Sequence, residues 1–321
     1  MTRFFACVGH ASVDHHFEID AFPHQPTKTP ASSYHMLPGG MAANAAMAMA
    51  RLGAPVHLLG RVGDDAAGEF VRSAVQAHGV QAQLEAVAQS HTSVSSVVVD
   101  KTGERQIFNH RGNALARAHP LDTAQLAGAR AVLVDPRWGD GALAALQWAQ
   151  AHGVLGMLDG DIAPRAMLQK LVPAAPWAVF SEPGLACYAP GLDQADALAA
   201  ALAAGAQVAM VTLGERGVLW TRGHGLHRQS AFAVRAVDTT GAGDVFHAAL
   251  LMALTELTEL ETGPAVELGI DNITTAVRFA SAAAALKCTQ RHGVMGTPTR
   301  LQVTAFLKGS LGLSPKEMLH E

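Results

Sequence analysis

Short apolar or β-branched runs alternate along this chain with longer Ala- and Leu-rich runs, and that rhythm restricts the fold more than any other feature. "FFACVG" is followed by a helical stretch from Ala42 to Leu52, and "VHLLG" by another from Ala66 to His78. "AVLVD", "GVLGMLD" and "AVFS" then recur with helical runs between them. Such repetition predicts βαβ units around a mainly parallel sheet, hence an α/β fold. The strand segments are almost continuously apolar, as a sheet covered by helices on both faces requires. At 321 residues the chain has room for one large domain with a small appendage.

Two stretches break the rhythm. Ser93–Val99 and Arg105–Asn109 flank "DKTGE". Gly103 there can take a positive φ, so a hairpin of antiparallel strands is predicted. From Val13 to Leu37 there are several prolines and few helix formers, which reads as strands and loops. Together, residues 13–37 and 92–111 predict a small β-sheet lid, folded from two separated pieces, over the edge of a single domain 1–321.

The formal charge of −4 and the sparse Lys and Arg argue against an extended nucleic-acid footprint, which needs clustered basic residues. Cys7, Cys187 and Cys288 lie far apart and form no CxxC pair, so neither a disulfide framework nor a structural zinc site is expected. The apolar N-terminal run is too short for the core of a signal peptide, and the Ala-rich run from Asp196 to Ala206 is too short to span a bilayer. These features point to small-molecule partners, no membrane and a reducing cytoplasm.

"DTTGAGD" at 238–244 precedes the helical run "VFHAALLMALTEL". Gly241 and Gly243 let the backbone turn tightly and approach a ligand. The amides of Gly241, Ala242, Gly243 and Asp244 then stand at a helix start, a natural anion site. Read locally, Asp244 serves equally well as a helix cap or as a catalytic acid. A cap needs no preceding TTGAG, whereas phosphoryl transfer needs both an amide cradle and a carboxylate facing the acceptor hydroxyl.

"DTTGAGDVF" resembles the C-terminal signature of the ribokinase-like, or PfkB, family of carbohydrate kinases. "PGGMAANAAMAMARLGA" at 38–54, followed by "GRVGDDAAGEF", resembles its N-terminal region. The resemblance covers nearly the whole chain and implies a central α/β domain with a β lid. It implies that Asp244 is the catalytic base and that Gly241, Ala242 and Gly243 form the anion hole. It further implies that Asp14, Gly39, Gly40 and Asn44 contact the sugar. "VTLGERGVLW" implicates Thr212, Gly214 and Gly217 beside ATP, and "ALKCTQRHG" implicates Lys287 and Gly293. Asp238 and Thr240 match positions that hold a monovalent cation in several members, so K+ joins ATP and Mg2+ as an expected cofactor. One departure is the NxxE stretch that organises magnesium in many members: "FSEPGLACY" puts Ser181 and Gly184 at its ends, leaving Glu182 or Asp159 to substitute.

"DPRWGDGA", "LDGDIAP", "FSEPGLA" and "RFASAAAALKC" resemble one branch in particular, the sulfofructose kinases, which share that departure. The branch implies phosphorylation of the 1-hydroxyl of 6-deoxy-6-sulfofructose. A sulfonate is a fixed monoanion, so a cation plus neutral donors should read it. Arg137, Lys28 and Asn109 are the candidates, although a solvated lysine and a turn asparagine explain the last two equally well. His110 and Arg111 follow the hairpin and are placed to reshape the pocket.

His10, His15 and His16 cluster near Asp14, but their spacing is not HExxH and strand alternation sends His15 and His16 to opposite faces. A Rossmann dehydrogenase is disfavoured because "CVGHASVD" lacks GxGxxG. Fructose, another ketose, a ribose-like sugar and a nucleoside are alternative acceptors, and a non-catalytic sugar-binding sensor is the alternative of another class. Apolar strand faces on the lid would also make a homodimer surface.

Overall fold

The computed structural model describes residues 3–115, 119–223, 225–260 and 268–310. The strands, in chain order, are β1 (Phe4–Gly9), β2 (Ser12–Glu18), β3 (Ser33–Gly39), β4 (Val56–Gly63), β5 (Gln81–Val87), β6 (Ser93–Val99), β7 (Arg105–His110), β8 (Ala129–Val134), β9 (Leu155–Gly160), β10 (Trp177–Ser181), β11 (Val208–Thr212), β12 (Val218–Thr221) and β13 (His227–Gln229). The helices are α1 (Met41–Arg51), α2 (Ala66–Ala77), α3 (Gly139–Ala151), α4 (Arg165–Leu171), α5 (Glu182–Tyr188), α6 (Gln194–Ala203), α7 (Ala242–Leu260), α8 (Ile270–Cys288) and α9 (Arg300–Ser310).

The main sheet has nine strands in the order β13-β12-β11-β10-β9-β8-β1-β4-β5. All neighbours from β5 to β11 pair in parallel, and β12 and β13 add an antiparallel edge. Alternation along β1 shows why the strands read as unbroken apolar runs. Phe5 and Cys7 join a core formed with α1, α7 and α8, while Phe4, Ala6 and Val8 join a second core on the other face with α3, α4 and α6. Burial on both faces leaves few positions along such a strand for a polar side chain.

The chain leaves β1 towards β4 on one side and reaches β8 on the other, so the strand order reverses at β1. In open α/β sheets ligands bind outside the carboxyl ends of the strands at such a reversal. Buried Asp135, just after β8, closes this point: its Oδ2 accepts the amides of His10 at 2.7 Å and Ala42 at 3.1 Å. One side chain thereby ties the ends of β1 and β8 to the start of α1.

A second sheet of four strands, β3-β2-β6-β7, stands apart from the first. Its β2/β3 and β6/β7 pairs are antiparallel and its central β2/β6 pair is parallel. The β6/β7 hairpin turns through Gly103 at φ 87°. Register places Leu37, Asp14, Ser95 and Asn109 in one row across all four strands. Because side chains in one row share a face, the pairing itself brings Asp14 and Asn109 together.

Candidate active site

Asp244 is the third residue of α7, inside its first turn rather than at the cap position. The preceding residues make the turn: Gly241 has φ 76°, and the Ala242 amide folds back to the Thr239 carbonyl at 3.2 Å. Ala242 was expected to share in the anion hole with Gly241 and Gly243, but its amide is thus already used. The amides of Gly241, Gly243 and Asp244 have no partner among the described residues. Three unpaired N–H groups at the positive end of a long helix form an anion-binding surface.

The Asp244 carboxylate is half-buried, and its Oδ2 accepts a hydrogen bond from Asn44 Nδ2 at 2.7 Å. Burial raises its pKa well above the usual carboxylate range, and the charge of Asp159 raises it further. The Asn44 amide and His247 oppose this, and Asp161 adds a smaller upward push. Asp159 at the end of β9 is itself raised well above the ordinary value, by burial first and then by Asp161 and Asp135. Asp135 is pushed up to about 6 by burial, against the amides it accepts. His247, buried one turn after Asp244, has Nδ1 2.7 Å from the Gly243 carbonyl and Nε2 3.2 Å from the Val179 carbonyl. It locks the first turn of α7 onto β10, and burial holds its pKa down.

The partner helix α1 begins after Gly39 and Gly40. Gly40 adopts φ 97°, and a Cβ on Gly39 would collide with the Asp14 carboxylate. The two glycines thus let Asp14 lie against the entry to α1, whose first turn carries Asn44. Burial raises the Asp14 pKa, opposed by hydrogen bonds from Ser95 and Ser12 and by His16. Asn109 donates to Ser95 Oγ at 3.0 Å, so Asn109, Ser95 and Asp14 form one chain of polar groups.

Arg137 lies in the turn Pro136–Trp138 after β8, and its amide donates to Asp135 Oδ1 at 2.9 Å. Its Nη1 is buried without a hydrogen-bond partner among the described residues. The charges of Arg137 and Arg111 act on His10 and, with burial as the larger cause, bring its pKa down to about 4. Lys28, in contrast, is exposed in the β2–β3 connection and makes no described contact with the other candidates.

Thr212 ends β11 beside Ser181, and Gly214 and Gly217 shape the turn into β12. Ser181 Oγ donates to Asp161 at 2.7 Å and accepts the Gly184 amide at 3.0 Å as the cap of α5. Asp161, Ser181 and Thr212 therefore follow one another along the carboxyl edge, with Thr212 roughly 10 Å, two strand spacings, from the end of β9. The missing NxxE glutamate has a steric cause: a Cβ at Gly184 would collide with the Gly160 carbonyl. Of its suggested substitutes, Glu182 is paired with Arg216 at the surface, whereas Asp159 lies at the site. Asp161 was not singled out from the sequence, although two acids spaced D-G-D at a strand end are a usable signal in an open α/β sheet.

Lys287 and Gly293, expected on the nucleotide side, instead converge on Asp238. Lys287 is completely buried, with Nζ 2.7 Å from the Asp238 carbonyl and 3.6 Å from its Oδ2. The Gly293 and Thr240 amides each donate to the Asp238 carboxylate at 2.8 Å. The place expected to hold a monovalent cation beside Asp238 and Thr240 is thus already met by an ammonium. Beyond it, a cavity of about 1030 Å³ opens between the second sheet and residues 235–240, lined by His16, His35, Arg105 and Arg291 among others. His15 points to the opposite face, towards Tyr34 Oη at 2.9 Å. Among the described residues no three His, Cys, Asp or Glu side chains are grouped to hold a metal by themselves, and no helix is long and apolar enough to cross a membrane.

The family model of the pfkB family carbohydrate kinases matches residues 2–300, and the chain belongs to that family. It is a carbohydrate kinase, a phosphotransferase of the ribokinase and fructokinase type. A ribokinase of Haemophilus influenzae is 28% identical over 96% of this chain and 99% of its own length. A fructokinase of Vibrio alginolyticus is 27% identical over 84% of this chain and 91% of its own. The structure of Arabidopsis thaliana ribokinase complexed with ribose and ATP superimposes with a TM-score of 0.79 at 26% identity, covering 96% of this chain and 99% of the other.

A carboxyl group whose pKa is raised on folding binds its proton more tightly in the folded state. Folding is therefore penalised increasingly as pH rises from the unfolded value, about 4, through the folded one. Asp244→Asn removes this penalty and keeps a side chain able to bond Asn44. The variant is expected to melt higher than the wild type in mildly alkaline buffer, with the gap closing towards about pH 4. A thermal melt series over pH checks this, and equal melting temperatures at alkaline pH would contradict the electrostatic account.

Proposed function

We propose that this protein transfers the γ-phosphoryl group of ATP to the 1-hydroxyl of 6-deoxy-6-sulfofructose. The observation that carries the kinase reading is the Asn44–Asp244 pair beside three unpaired amides at the start of α7. A base, an anion site and a polar sugar-facing row meet there, and phosphoryl transfer needs little else from the protein.

Asp14, Ser95 and Asn109 present acceptors and donors suited to sugar hydroxyls, and Gly39 and Gly40 leave backbone room for the ring. Asp244 accepts the proton of the primary hydroxyl as the new O–P bond forms. The γ-phosphorus bond to the β–γ bridging oxygen breaks, and its electron pair leaves with ADP. The raised pKa of Asp244 suits a base working near neutral pH. The amides of Gly241, Gly243 and Asp244 stabilise negative charge on the phosphoryl oxygens. Thr212, Gly214 and Gly217 lie along the strand edge where the rest of the nucleotide would run.

Mg2+ arriving with ATP would neutralise negative charge on its phosphates. Asp159 and Asp161 fit it, because they are hard oxygen donors whose crowded charges a cation would relieve. Among the described residues too few protein ligands are grouped for a site of their own, which suits a metal carried in on phosphates and water. The four-stranded sheet would act as a lid that excludes water, directing the phosphoryl group to sugar rather than to hydrolysis.

The sulfonate reading is supported by Arg137, whose buried Nη1 lacks a partner, and by Arg111 acting beside it on His10. An unpaired buried guanidinium nitrogen suits an anionic substrate group. The two relatives named above favour ribose or fructose as the second reading. An ADP-release assay with 6-deoxy-6-sulfofructose, fructose, fructose 6-phosphate and ribose separates these. We expect preference for the sulfosugar, a loss of about 10- to 100-fold in kcat/KM for it in Arg137→Ala, and a fall of roughly 10²- to 10⁴-fold in kcat for Asp244→Asn. Preference for a neutral sugar, indifferent to Arg137, would discard the sulfonate reading. Sugar binding without turnover would make the protein a sensor.

The outer face of the small sheet carries Tyr34, Met36 and Phe108, which are 50%, 42% and 60% exposed. Register puts all three on one face. A second copy packing there would form a homodimer through the lid. Sedimentation should find a dimer that Phe108→Glu dissociates, and a monomeric wild type at micromolar concentration would refute it.

A further inference from the structure

The loop that feeds the unpaired amides of α7 is anchored at Asp238, and every polar atom there already has a donor. Lys287 is the second-to-last residue of α8, fully buried, and its Nζ donates to the Asp238 carbonyl at 2.7 Å while standing 3.6 Å from Oδ2. Oδ1 accepts the Thr240 amide and Oδ2 the Gly293 amide, each at 2.8 Å. The Cys288 carbonyl accepts the amides of Val237 at 2.7 Å and Asp238 at 3.1 Å. From β7, Arg105 Nη1 reaches Thr240 Oγ1 at 3.1 Å and Thr239 Oγ1 at 3.4 Å.

A bound hard cation needs several oxygens with free lone pairs and no competing positive charge. At Asp238 that positive charge is already present: an ammonium donates to its carbonyl and stands 3.6 Å from Oδ2, each carboxylate oxygen already accepts an amide, and a guanidinium stands at the neighbouring hydroxyls. The residues present therefore do not fit K+. We propose that Lys287 is a tethered cation that positions the Asp238–Asp244 loop, so that this protein works without a bound monovalent cation. An ammonium is a compact point charge, and on the last turn of α8 it is delivered with no diffusible ion to bind. Lys287 is a positioning residue, since it acts through Asp238 on the amides that meet the phosphoryl group. The catalytic consequence rests on the kinase reading, whereas the placement of the charge does not.

The test compares K+ with tetramethylammonium at equal ionic strength, reading both the melting temperature without substrates and the rate on whichever sugar is turned over. The wild type should show the same melting temperature in both salts and rates within about twofold. Lys287→Met removes the charge while retaining much of the length. It should lose about tenfold or more in rate in tetramethylammonium and recover rate and melting temperature when K+ or NH4+ is added. Lys287→Arg should keep cation independence. Activation or thermal stabilisation of the wild type by K+ would overturn the inference, as would a Lys287→Met variant that is fully active in tetramethylammonium or is not rescued. Should Lys287→Met fail to fold, the wild-type comparison still decides, and the melting readout stands even if no sugar is phosphorylated.

Discussion

The hydrogen bond from Asn44 to Asp244, 2.7 Å long, joins side chains 200 positions apart and fixes the first turn of α1 against the first turn of α7. The small sheet leads into α1 through Gly39 and Gly40, and the DTTGAG loop leads into α7. The two elements proposed to face sugar and phosphate are therefore joined by one bond. It also answers a chemical difficulty. The charge of Asp161 adds to the crowding around Asp244 and Asp159, whose burial already disfavours their ionisation. Donors from Asn44 and Ser181 hold two of these carboxylates, leaving a site that gains from a cation and from an acceptor hydroxyl.

Periodicity made the scaffold legible. Strands buried on both faces must be apolar over most of their length, and turns such as that at Gly103 must carry a residue tolerant of positive φ, so "FFACVG", "VHLLG" and "DKTGE" could be placed without contacts. Asp244 was legible as an acid at a helix start, whereas its position within the first turn was not. The helix begins at Ala242 despite two glycines because Gly241 closes the turn, and this moves Asp244 past the cap position. Asp135 and Asp161 went unread because their roles arise where separate strand ends meet, which no local pattern encodes.

Lys287 and Lys28 show the same limit from opposite directions. A lysine in the last turn of a helix ordinarily faces solvent and the helix dipole, so nothing local marks Lys287 as buried against Asp238. Lys28 sits in a polar, proline-containing stretch, and there the bland reading of a solvated lysine matches its exposure. The altered NxxE stretch has its own physical reason: α5 approaches β9 so closely that position 184 has room only for hydrogen. With no side chain possible there, the acids beside Asp244 come from the end of β9 instead.

The protein environment raises the pKa of the Asp244 carboxyl well above the ordinary carboxylate range. Carbon-13 NMR of the protein labelled at the aspartate carboxyl carbon, with Asp244→Asn identifying the resonance, reads that titration without substrate or turnover. The midpoint is expected well above about 4, the ordinary aspartate value, moving higher still when Asn44 is replaced by Ala. A midpoint close to that ordinary value, unmoved by the loss of Asn44, would contradict it.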